Sequence, residues 1–409
     1  MPKLERRSPT RRERNGKDRA GSETGAPFIM KTLPRCWAEV DLTALRENLA
    51  WIRHRVGPQV KIMTVVKADA YGHGLKQIAA LLMQSGTDIF GVANLAEAQA
   101  IRGVGKGWPI LMLGAALPEE TEPALRDEVM PTISTLEEAA RFSAAARKLR
   151  KTARLHIKVD TGMGRLGAAP KEVRGLLKEA SRLPGVKVCG LYTHYASVED
   201  DAVFSQKQRE QFQRLLESLL KEGWSFEFLH ANNSAALVLE KASIFNTVRP
   251  GLLVYGVSPP GRRSMDPSFK SQLRPALAWK CRVSLVKKIP KGTSLSYGRS
   301  FIASRSMRVA TLTAGYGDGY LRSGSNRAQV LIGGKLCPIL GRITMDQMIA
   351  DVSALSNVRA GDEVVLIGSQ GKQTLTANDL ADWCGTVPWE VLTNITYRVP
   401  RFYRGGSAA

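Results

Sequence analysis

Lys67 directly follows an apolar run of strand length at residues 60–66, a position where a reactive lysine could do chemistry. A lysine amine that burial desolvates has a lowered pKa, and its neutral form can attack a carbonyl to give a Schiff base. The position alone is equally consistent with a lysine whose stem packs on apolar residues while its charge reaches water. Lys67 is therefore a candidate for covalent binding of a carbonyl cofactor.

Polar clusters follow four later runs of the same kind. They contain Lys158, Asp160 and Arg165, then His194, then His230, Asn233 and Ser234, and finally Arg249 and Gly251. Each cluster alone is weak, since a single histidine is more often structural and an arginine before a Pro-Gly turn can simply cap a loop. Structural polar residues have no reason to follow five strands at the same end, so the clusters together predict one site.

The elements that must position these residues are eight apolar runs separated by amphipathic stretches of helical period. The runs are residues 60–66, 89–93, 110–113, 129–133, 155–159, 186–192, 226–229 and 247–249. The helical spacing of Leu, Ala and Val is plainest at residues 136–149 and 171–183. Eight such units predict an α/β fold with a TIM-like (β/α)8 barrel, and a doubly wound parallel sheet is the weaker alternative. In a barrel, the polar clusters would share the catalytic face.

The residues after the seventh and eighth runs suit a phosphate. Ser234 and the backbone amides around Gly251 and Leu252 lie where (β/α)8 barrels commonly hold a phosphate group. A lysine at one strand end and a phosphate site at two others suit pyridoxal phosphate, which can be bound covalently at one end and through its phosphate at the other.

The pattern changes on both sides of the predicted barrel. Residues 1–34 are polar and basic, which predicts a disordered tail, and Met30 is a possible true start. The barrel is expected at residues 35–271, and its last part has the Pro, Gly and basic composition of a linker. Residues 272–409 contain short β-rich segments broken by glycine, which predicts a mainly β C-terminal domain.

The composition excludes several classes of protein. The chain has 409 residues and a net charge of +22, but its basic residues are spread along the sequence without interleaved aromatics. This distribution favours a surface that attracts anionic small molecules over a nucleic-acid partner. No stretch has the apolar length of a membrane span, which predicts no membrane partner. The five cysteines are odd in number and far apart, which argues against a disulfide framework or a cysteine metal site.

Nine motifs occur in the order and at the spacings found in alanine racemases. They are VVKADAYGHG, KVDTGMGRLG, THYA, HANNSAAL and VRPGLLVYG, followed by LSYGRSF, TAGYGDGYLR, GRITMDQ and TNITYRVPRF. Any one motif can occur by chance, but the ordered set is specific. The chain therefore resembles alanine racemases over about residues 35–404.

The resemblance implies a catalytic role for four residues. Lys67 would carry pyridoxal phosphate and, once freed by substrate, act as the base on one face of the alanine Cα. Tyr297, supplied by a partner subunit, would be the base on the opposite face, since racemisation needs a base on each side. Tyrosine is ordinarily a weak acid, and a hydrogen-bond chain through His194 to Arg249 would favour its ionised form. Arg249 would also face the cofactor's pyridine nitrogen and keep it unprotonated.

The resemblance also assigns binding roles. Cofactor-binding residues beyond Lys67, His194 and Arg249 would be Tyr71, Arg165, Asn233, Ser234, Gly251, Leu252 and Tyr397. Arg165 would also bind the substrate carboxylate together with the backbone amide of Met345 from the partner subunit. Tyr316 of the partner would narrow the entrance, and Lys158 matches a lysine that is carbamylated in some members. Thr344 stands where many members carry cysteine, which leaves the substrate range less certain than the reaction type.

The expected function is interconversion of L-alanine and D-alanine by a cytoplasmic homodimer with shared active sites, supplying D-alanine for peptidoglycan. The closest alternative is a racemase of broader serine and alanine specificity. A pyridoxal-phosphate decarboxylase of basic amino acids is disfavoured, because such enzymes resemble sites with an acidic partner where this chain has Arg249. A single-domain cofactor-binding protein is disfavoured by residues 272–409.

Overall fold

The computed structural model describes residues 34–239, 245–259, 261 and 272–405. The described residues belong to one compact unit, Pro34–Ala409. The predicted tail, except Pro34, and most of the predicted linker lie outside the described residues, as does the possible start at Met30.

Eight parallel strands form a closed barrel, which confirms the predicted fold class and excludes the doubly wound sheet. Strand β1, Cys36–Asp41, precedes the barrel. The barrel strands are β2 Lys61–Val65, β3 Ile89–Val92, β4 Ile110–Ala115, β5 Val129–Ile133, β6 Ala153–Lys158, β7 Val186–Tyr192, β8 Phe228–His230 and β9 Thr247–Val248. The seventh barrel strand lies further along the chain than residues 226–229, because His230 pairs with Tyr192 in the ladder.

One helix precedes the first barrel strand, and one follows each of β2 to β8. They are α1 Leu42–Val56, α2 Leu75–Met83, α3 Leu95–Arg102, α4 Thr121–Arg126, α5 Leu136–Leu149, α6 Pro170–Ala180, α7 Ala202–Lys221 and α8 Ser234–Leu239. Side-chain caps begin several of them: Thr135 accepts the backbone N–H of Glu138, and Asp201 accepts that of Phe204. No helix within the described residues is long and apolar enough to cross a membrane.

Six barrel strands each contribute one side chain to an apolar cluster that fills one layer of the barrel interior. Its members are Met63, Ile89, Leu111, Met130, Cys189 and Phe228. Residues on six strands of a closed barrel can meet only inside it, so this layer closes the barrel interior. The polar residues that follow the strands are left at the carboxyl ends.

The C-terminal part is mainly β. Its strands are β10 Leu277–Ile289, β11 Ser294–Leu295, β12 Phe301–Ile302, β13 Met307–Leu312, β14 Gln329–Ile332, β15 Lys335–Pro338, β16 Met348–Asp351, β17 Glu363–Gln370, β18 Gln373–Leu375 and β19 Arg401–Arg404. Two helices, α9 Ala377–Cys384 and α10 Pro388–Thr393, accompany them. Strand β1 pairs with β10 and β19, so a segment that precedes the barrel belongs to this sheet.

The β domain forms hydrogen bonds with the segment that follows the first barrel strand. Tyr403 donates to the carbonyl of His73 at 3.0 Å, and Arg401 donates to the carbonyl of Gly72 at 3.1 Å. A Cβ at Gly72 would lie 2.2 Å from the carbonyl oxygen of Leu392, and the φ of Gly72 is +77°. Only glycine fits such a close approach with that backbone conformation. The β domain thereby supports the turn that begins at Lys67.

Candidate active site

Nine of the predicted site residues line one cavity of about 250 Å³ at the carboxyl ends of the barrel strands. They are Lys67, Tyr71, Arg165, His194, Asn233, Ser234, Arg249, Gly251 and Leu252. They come from five different strand ends, which the barrel brings together as the sequence predicted.

An unusual turn orients Lys67 and Tyr71. The four residues Ala68, Asp69, Ala70 and Tyr71 all have left-handed backbone angles, with φ between +52° and +54°. A left-handed conformation costs roughly 1–2 kcal/mol for each residue that carries a Cβ. Hydrogen bonds offset this cost: Asp69 accepts the N–H of Leu75, and Glu97 accepts the N–H of Ala68, both at 2.7 Å.

Glu97 joins this turn to the next strand end, because its second carboxylate oxygen accepts the N–H of Ala93 at 2.7 Å. A charge-assisted hydrogen bond contributes about 1.5–3 kcal/mol. We therefore expect Glu97→Ala to speed amide hydrogen exchange in residues 68–71 by about tenfold or more, measured by mass spectrometry. Glu120→Ala is the matched control, since Glu120 accepts the N–H of Leu117 after another strand. Equal acceleration of residues 68–71 in both variants would contradict the assignment.

The two lysines of the cavity differ from exposed lysines in their acidity. Burial lowers the pKa of Lys67, Arg165 lowers it further, and Glu97 opposes both. Burial, followed by Arg165 and Arg249, lowers the pKa of Lys158 to about 8. Each amine therefore holds a larger neutral fraction near neutral pH than an exposed lysine, and the neutral amine is the nucleophilic form.

Arg165 is carried by a loop that one carboxylate organises. Asp160 accepts the backbone N–H groups of Gly162, Met163 and Gly164 at distances between 2.9 and 3.1 Å. This is the side-chain turn that Asp favours, and it folds the loop so that Arg165 reaches the cavity.

The groups predicted to bind phosphate form a cradle. The hydroxyl of Ser234 accepts the N–H of Gly251 at 2.9 Å, and the side chain of Tyr71 lies against the same glycine. A Cβ at Gly251 would lie 2.5 Å from the hydroxyl oxygen of Tyr71. A hydroxyl pair beside backbone amides is a donor set suited to a phosphate.

This geometry predicts that Gly251→Ala weakens phosphate binding. The added methyl must displace Tyr71, and we expect the affinity for pyridoxal phosphate to fall by about tenfold or more. Equilibrium dialysis measures the change. Gly175→Ala is the control, because a Cβ there meets nothing within 4 Å. Unchanged affinity in the Gly251 variant would exclude Tyr71 from the cradle.

Arg249 is the centre of a buried network. Its guanidinium donates to the carbonyls of Thr193 and Ala231, both at 2.9 Å. It also lies 3.2 Å from Nδ1 of His194 and 2.6 Å from Nδ1 of His230. Burial lowers the pKa of Arg249 to about 10, so the group remains a cation at neutral pH. Burial and Arg249 lower the pKa of His194 well below its ordinary value, so this ring is neutral.

Four predicted site residues do not reach the cavity. The exposed fractions of the side chains are 72% for Tyr297, 41% for Tyr316, 52% for Met345 and 95% for Tyr397. Tyr297, Tyr316 and Met345 lie on loops that are joined: Ser296 donates to the carbonyl of Arg342, and Tyr316 donates its N–H to the carbonyl of Thr344. The loops that carry these three exposed side chains are therefore neighbours in the β domain.

Several cavity residues were not among the predicted site residues. They include Tyr192, Glu199 and Trp389. Lys158, which the sequence placed in the polar cluster after the fifth run, also lines the cavity and ends the fifth barrel strand. Trp389 comes from helix α10 of the β domain, and no local pattern shows that this helix docks at the barrel mouth. Glu199 also reaches the cavity through long-range packing that no local sequence pattern shows. Burial raises the pKa of its carboxyl group.

The charge of the cavity fits an anionic ligand. Lys67, Lys158, Arg165 and Arg249 all line it, whereas Glu199 is the carboxylate that we find among its described lining residues. Such converging cations repel one another unless an anion lies among them. A nucleophilic amine, a phosphate cradle and this excess of positive charge together fit pyridoxal phosphate with a carboxylate-bearing substrate.

Comparisons with known proteins identify the family of the chain. The family profile of the alanine racemase N-terminal domain matches residues 40–259, and that of the C-terminal domain matches residues 276–403. The chain is 41% identical to the alanine racemase of Halothermothrix orenii over 369 residues, which are 90% of this chain and 96% of that protein.

Solved structures give the same result. The alanine racemase of a D-cycloserine producing Streptomyces lavendulae has a TM-score of 0.85 and 34% identity, over 92% of this chain and 98% of its own. The alanine racemase of Bartonella henselae, described with covalently bound pyridoxal phosphate, has a TM-score of 0.82 and 29% identity, over 91% of this chain and 100% of its own. The chain therefore belongs to the alanine racemase family, a family of isomerases.

Proposed function

We propose that the chain interconverts L-alanine and D-alanine with pyridoxal phosphate bound in the cavity. The observation that carries the proposal is that Lys67, the phosphate cradle and the pair formed by Arg249 and His194 line the same cavity. Lys67 would hold the cofactor covalently, while Ser234, Tyr71 and the backbone at Gly251 would hold its phosphate.

The electronic role of the site follows from Arg249. Pyridoxal phosphate, when bound, supplies an aldehyde that takes the amino group of the substrate and a ring that draws electrons from Cα. Arg249 can only donate hydrogen bonds, so a ring nitrogen facing it stays unprotonated. This keeps the electron withdrawal moderate and limits side reactions such as transamination.

Lys67 moves the proton on one face of Cα. When the substrate occupies the cofactor, the amine of Lys67 would be free, and its lowered pKa would keep it neutral enough to accept a proton near neutral pH. Arg165 presents the planar guanidinium that binds a carboxylate through two hydrogen bonds, so it would hold the substrate carboxylate and fix Cα over Lys67. Lys158 is 3% exposed, and the charge of Arg165 contributes to lowering its pKa. Carbamylation of this amine, which the family resemblance implies for some members, would turn it into an anion that accepts hydrogen bonds from Arg165 and keeps that guanidinium in place.

The second base would come from another copy of the chain. A racemase must return the proton on the opposite face, and Tyr297 is the residue proposed for that step. Its aromatic ring is exposed, and the neighbouring loops carry Tyr316 and Met345, which are also exposed. Large exposed side chains on neighbouring loops are typical of a protein interface. A homodimer in which these loops cover the partner's cavity would complete each active site.

Other readings have less support. The relatives named above are alanine racemases, which does not favour a broader serine and alanine specificity. Arg249 in the cavity speaks against a decarboxylase that needs an acidic partner for the pyridine nitrogen. A cytoplasmic location and a supply of D-alanine for peptidoglycan remain predictions from the sequence.

NMR of the cofactor-loaded protein with L-alanine in deuterated water tests the proposal. We expect deuterium to enter at Cα as D-alanine forms. Serine, tested in the same way, should react at least about tenfold less efficiently. If protein shown to carry the cofactor on Lys67 gives neither exchange nor D-alanine, the decarboxylase or cofactor-binding readings would replace the proposal.

A further inference from the structure

The barrel interior contains a third histidine, His156, behind the histidines already described. His156 and His230 are both fully buried. Nδ1 of His156 lies 3.1 Å from Nε2 of His230, and Nδ1 of His230 lies 2.6 Å from the Arg249 guanidinium. The three side chains form a chain of hydrogen bonds that ends at the cavity.

The positions of the ring protons in this hydrogen-bond chain follow from the Arg249 guanidinium, at which the chain begins. The guanidinium of Arg249 only donates, so Nδ1 of His230 must accept. The neutral ring of His230 then carries its proton on Nε2 and donates it to Nδ1 of His156. His156 must in turn carry its proton on Nε2. The hydrogen bonds from Arg249 to His230 and from His230 to His156 therefore allow only one neutral tautomer for each of these two rings.

Charged forms of the two rings are disfavoured. Burial, then Arg154 and Arg249, lower the pKa of His156 to about 3. Burial, then Arg249 and His156, lower the pKa of His230 well below its ordinary value. A proton on Nδ1 of His230 would also face the N–H groups of Arg249, so the neutral chain is the stable arrangement at neutral pH.

The surroundings fix the ring of His156. The neighbouring strand has Gly190 opposite it, and a Cβ there would lie 2.3 Å from Nδ1 of His156. The ring of Phe228 stacks on His156 with centroids 5.2 Å apart, and that of Tyr192 stacks on His230 at 4.5 Å. These contacts would suit an apolar side chain equally well. Nε2 of His156 has no hydrogen-bond partner in the part of the chain that the structure describes, so packing does not explain why a histidine stands here.

We propose that His156 is a positioning residue whose Nδ1 accepts the Nε2–H of His230 and so holds Arg249 in place. With the acceptor present, His230 offers a bare Nδ1 to Arg249. Without it, the Nε2–H of His230 is left buried and unpaired, and the other tautomer turns an N–H towards the guanidinium. Two donors at that distance repel each other and push Arg249 away from His230, which disturbs the guanidinium that lies 3.2 Å from His194. The functional consequence rests on the proposed function, in which Arg249 and His194 serve the racemisation.

Two nearly isosteric variants separate this role from packing. In His156→Asn the side-chain oxygen can take the place of the Nδ1 acceptor, whereas His156→Leu removes it. We expect the leucine variant to lower kcat for alanine racemisation by about tenfold with KM changed less than about threefold, and the asparagine variant to stay within about threefold of wild type. Equal kcat values for the two variants, measured per cofactor-loaded site, would overturn the proposal.

Nitrogen-15 NMR of the imidazole rings gives a readout that does not depend on activity. The chain has 5 histidines, so each ring can be assigned by substituting one histidine at a time. We expect His230 to be neutral with its proton on Nε2 in the wild type and in His156→Asn, and to change its pattern in His156→Leu. An unchanged His230 tautomer in the leucine variant would contradict the proposal. If the wild type does not racemise alanine, the proposed function is wrong. The tautomer of His230 would still test the role of His156.

Discussion

Replacing Lys67 with alanine is expected to lower the rate of alanine racemisation by about 10⁴-fold or more, because one change removes the covalent anchor and a base. The left-handed turn that follows Lys67 fixes the start of its side chain, and burial favours its neutral amine. The formation of D-alanine and the visible absorption of the lysine Schiff base measure the two losses separately.

Lys158 is the amine that could take over the covalent role. It lines the same cavity, and its pKa is lowered to about 8. Borohydride reduction followed by peptide mapping should locate the cofactor on Lys67 in the wild type and on no lysine in Lys67→Ala. Cofactor found on Lys158 of the wild type would reassign the anchor. Lys76→Ala, an exposed lysine on the next helix, should behave as wild type.

Added methylamine distinguishes the two functions of Lys67. A small amine can enter the cavity that the shortened side chain enlarges, and it can accept a proton without forming a covalent link to the chain. We expect it to restore part of the racemisation rate of Lys67→Ala and none of the covalent attachment. Failure to restore any rate, with the cofactor still bound, would argue that Lys67 serves only as the anchor.

The sequence predicted the barrel and most of the cavity because both depend on local patterns. Alternating apolar runs and helical periods define the eight units, and the closing of a barrel then brings all strand ends together. Residues at strand ends, such as Lys67, His194 and Arg249, could therefore be placed in one site before any contact was known. The sequence placed His230 after the seventh run, whereas His230 is the last residue of that strand, because a strand of three residues carries too little pattern to define its end.

The positions of residues outside the barrel depend on long-range packing, which the sequence shows less directly than it shows strand ends. Tyr397 was expected at the phosphate but is exposed, whereas Trp389 of the same C-terminal segment lines the cavity. Which of the two faces the barrel is decided by how helix α10 packs on the turn at Gly72. The first strand, Cys36–Asp41, fell within the predicted barrel range of residues 35–271 but pairs with β10 and β19. Strand partners so distant in sequence leave no local signal.

Tyr297 lies outside the cavity of its own chain, and this exposure leads to the second large effect. Tyr297→Phe keeps the ring and removes only the hydroxyl, so we expect racemisation to fall by about 10³-fold. Proton removal from L-alanine should fall most, and deuterium exchange from D-alanine, which Lys67 serves, should fall less. Isotope exchange measured from each enantiomer separately tests this asymmetry. An equal loss from both sides would argue against a second base.

Heterodimers of two inactive variants then decide whether the sites are shared. Lys67→Ala and Tyr297→Phe chains with different affinity tags are coexpressed, and dimers that carry both tags are isolated. If each site takes Lys67 from one copy and Tyr297 from the other, one site of the heterodimer carries both changes and the other carries none. Such heterodimers should have about half of the wild-type activity, although both parent homodimers are nearly inactive.

The control pairs two changes from the same cavity. Lys67→Ala combined with Arg165→Leu leaves one damaged residue in every site of the heterodimer, because both residues line the cavity of one chain. We therefore expect no recovery beyond the parents. Recovery in the Tyr297 pair alone requires that the tyrosine crosses to the other subunit. Equal inactivity of both pairs would mean that each chain completes its own site, and the exposed face that carries Tyr297 would need another explanation.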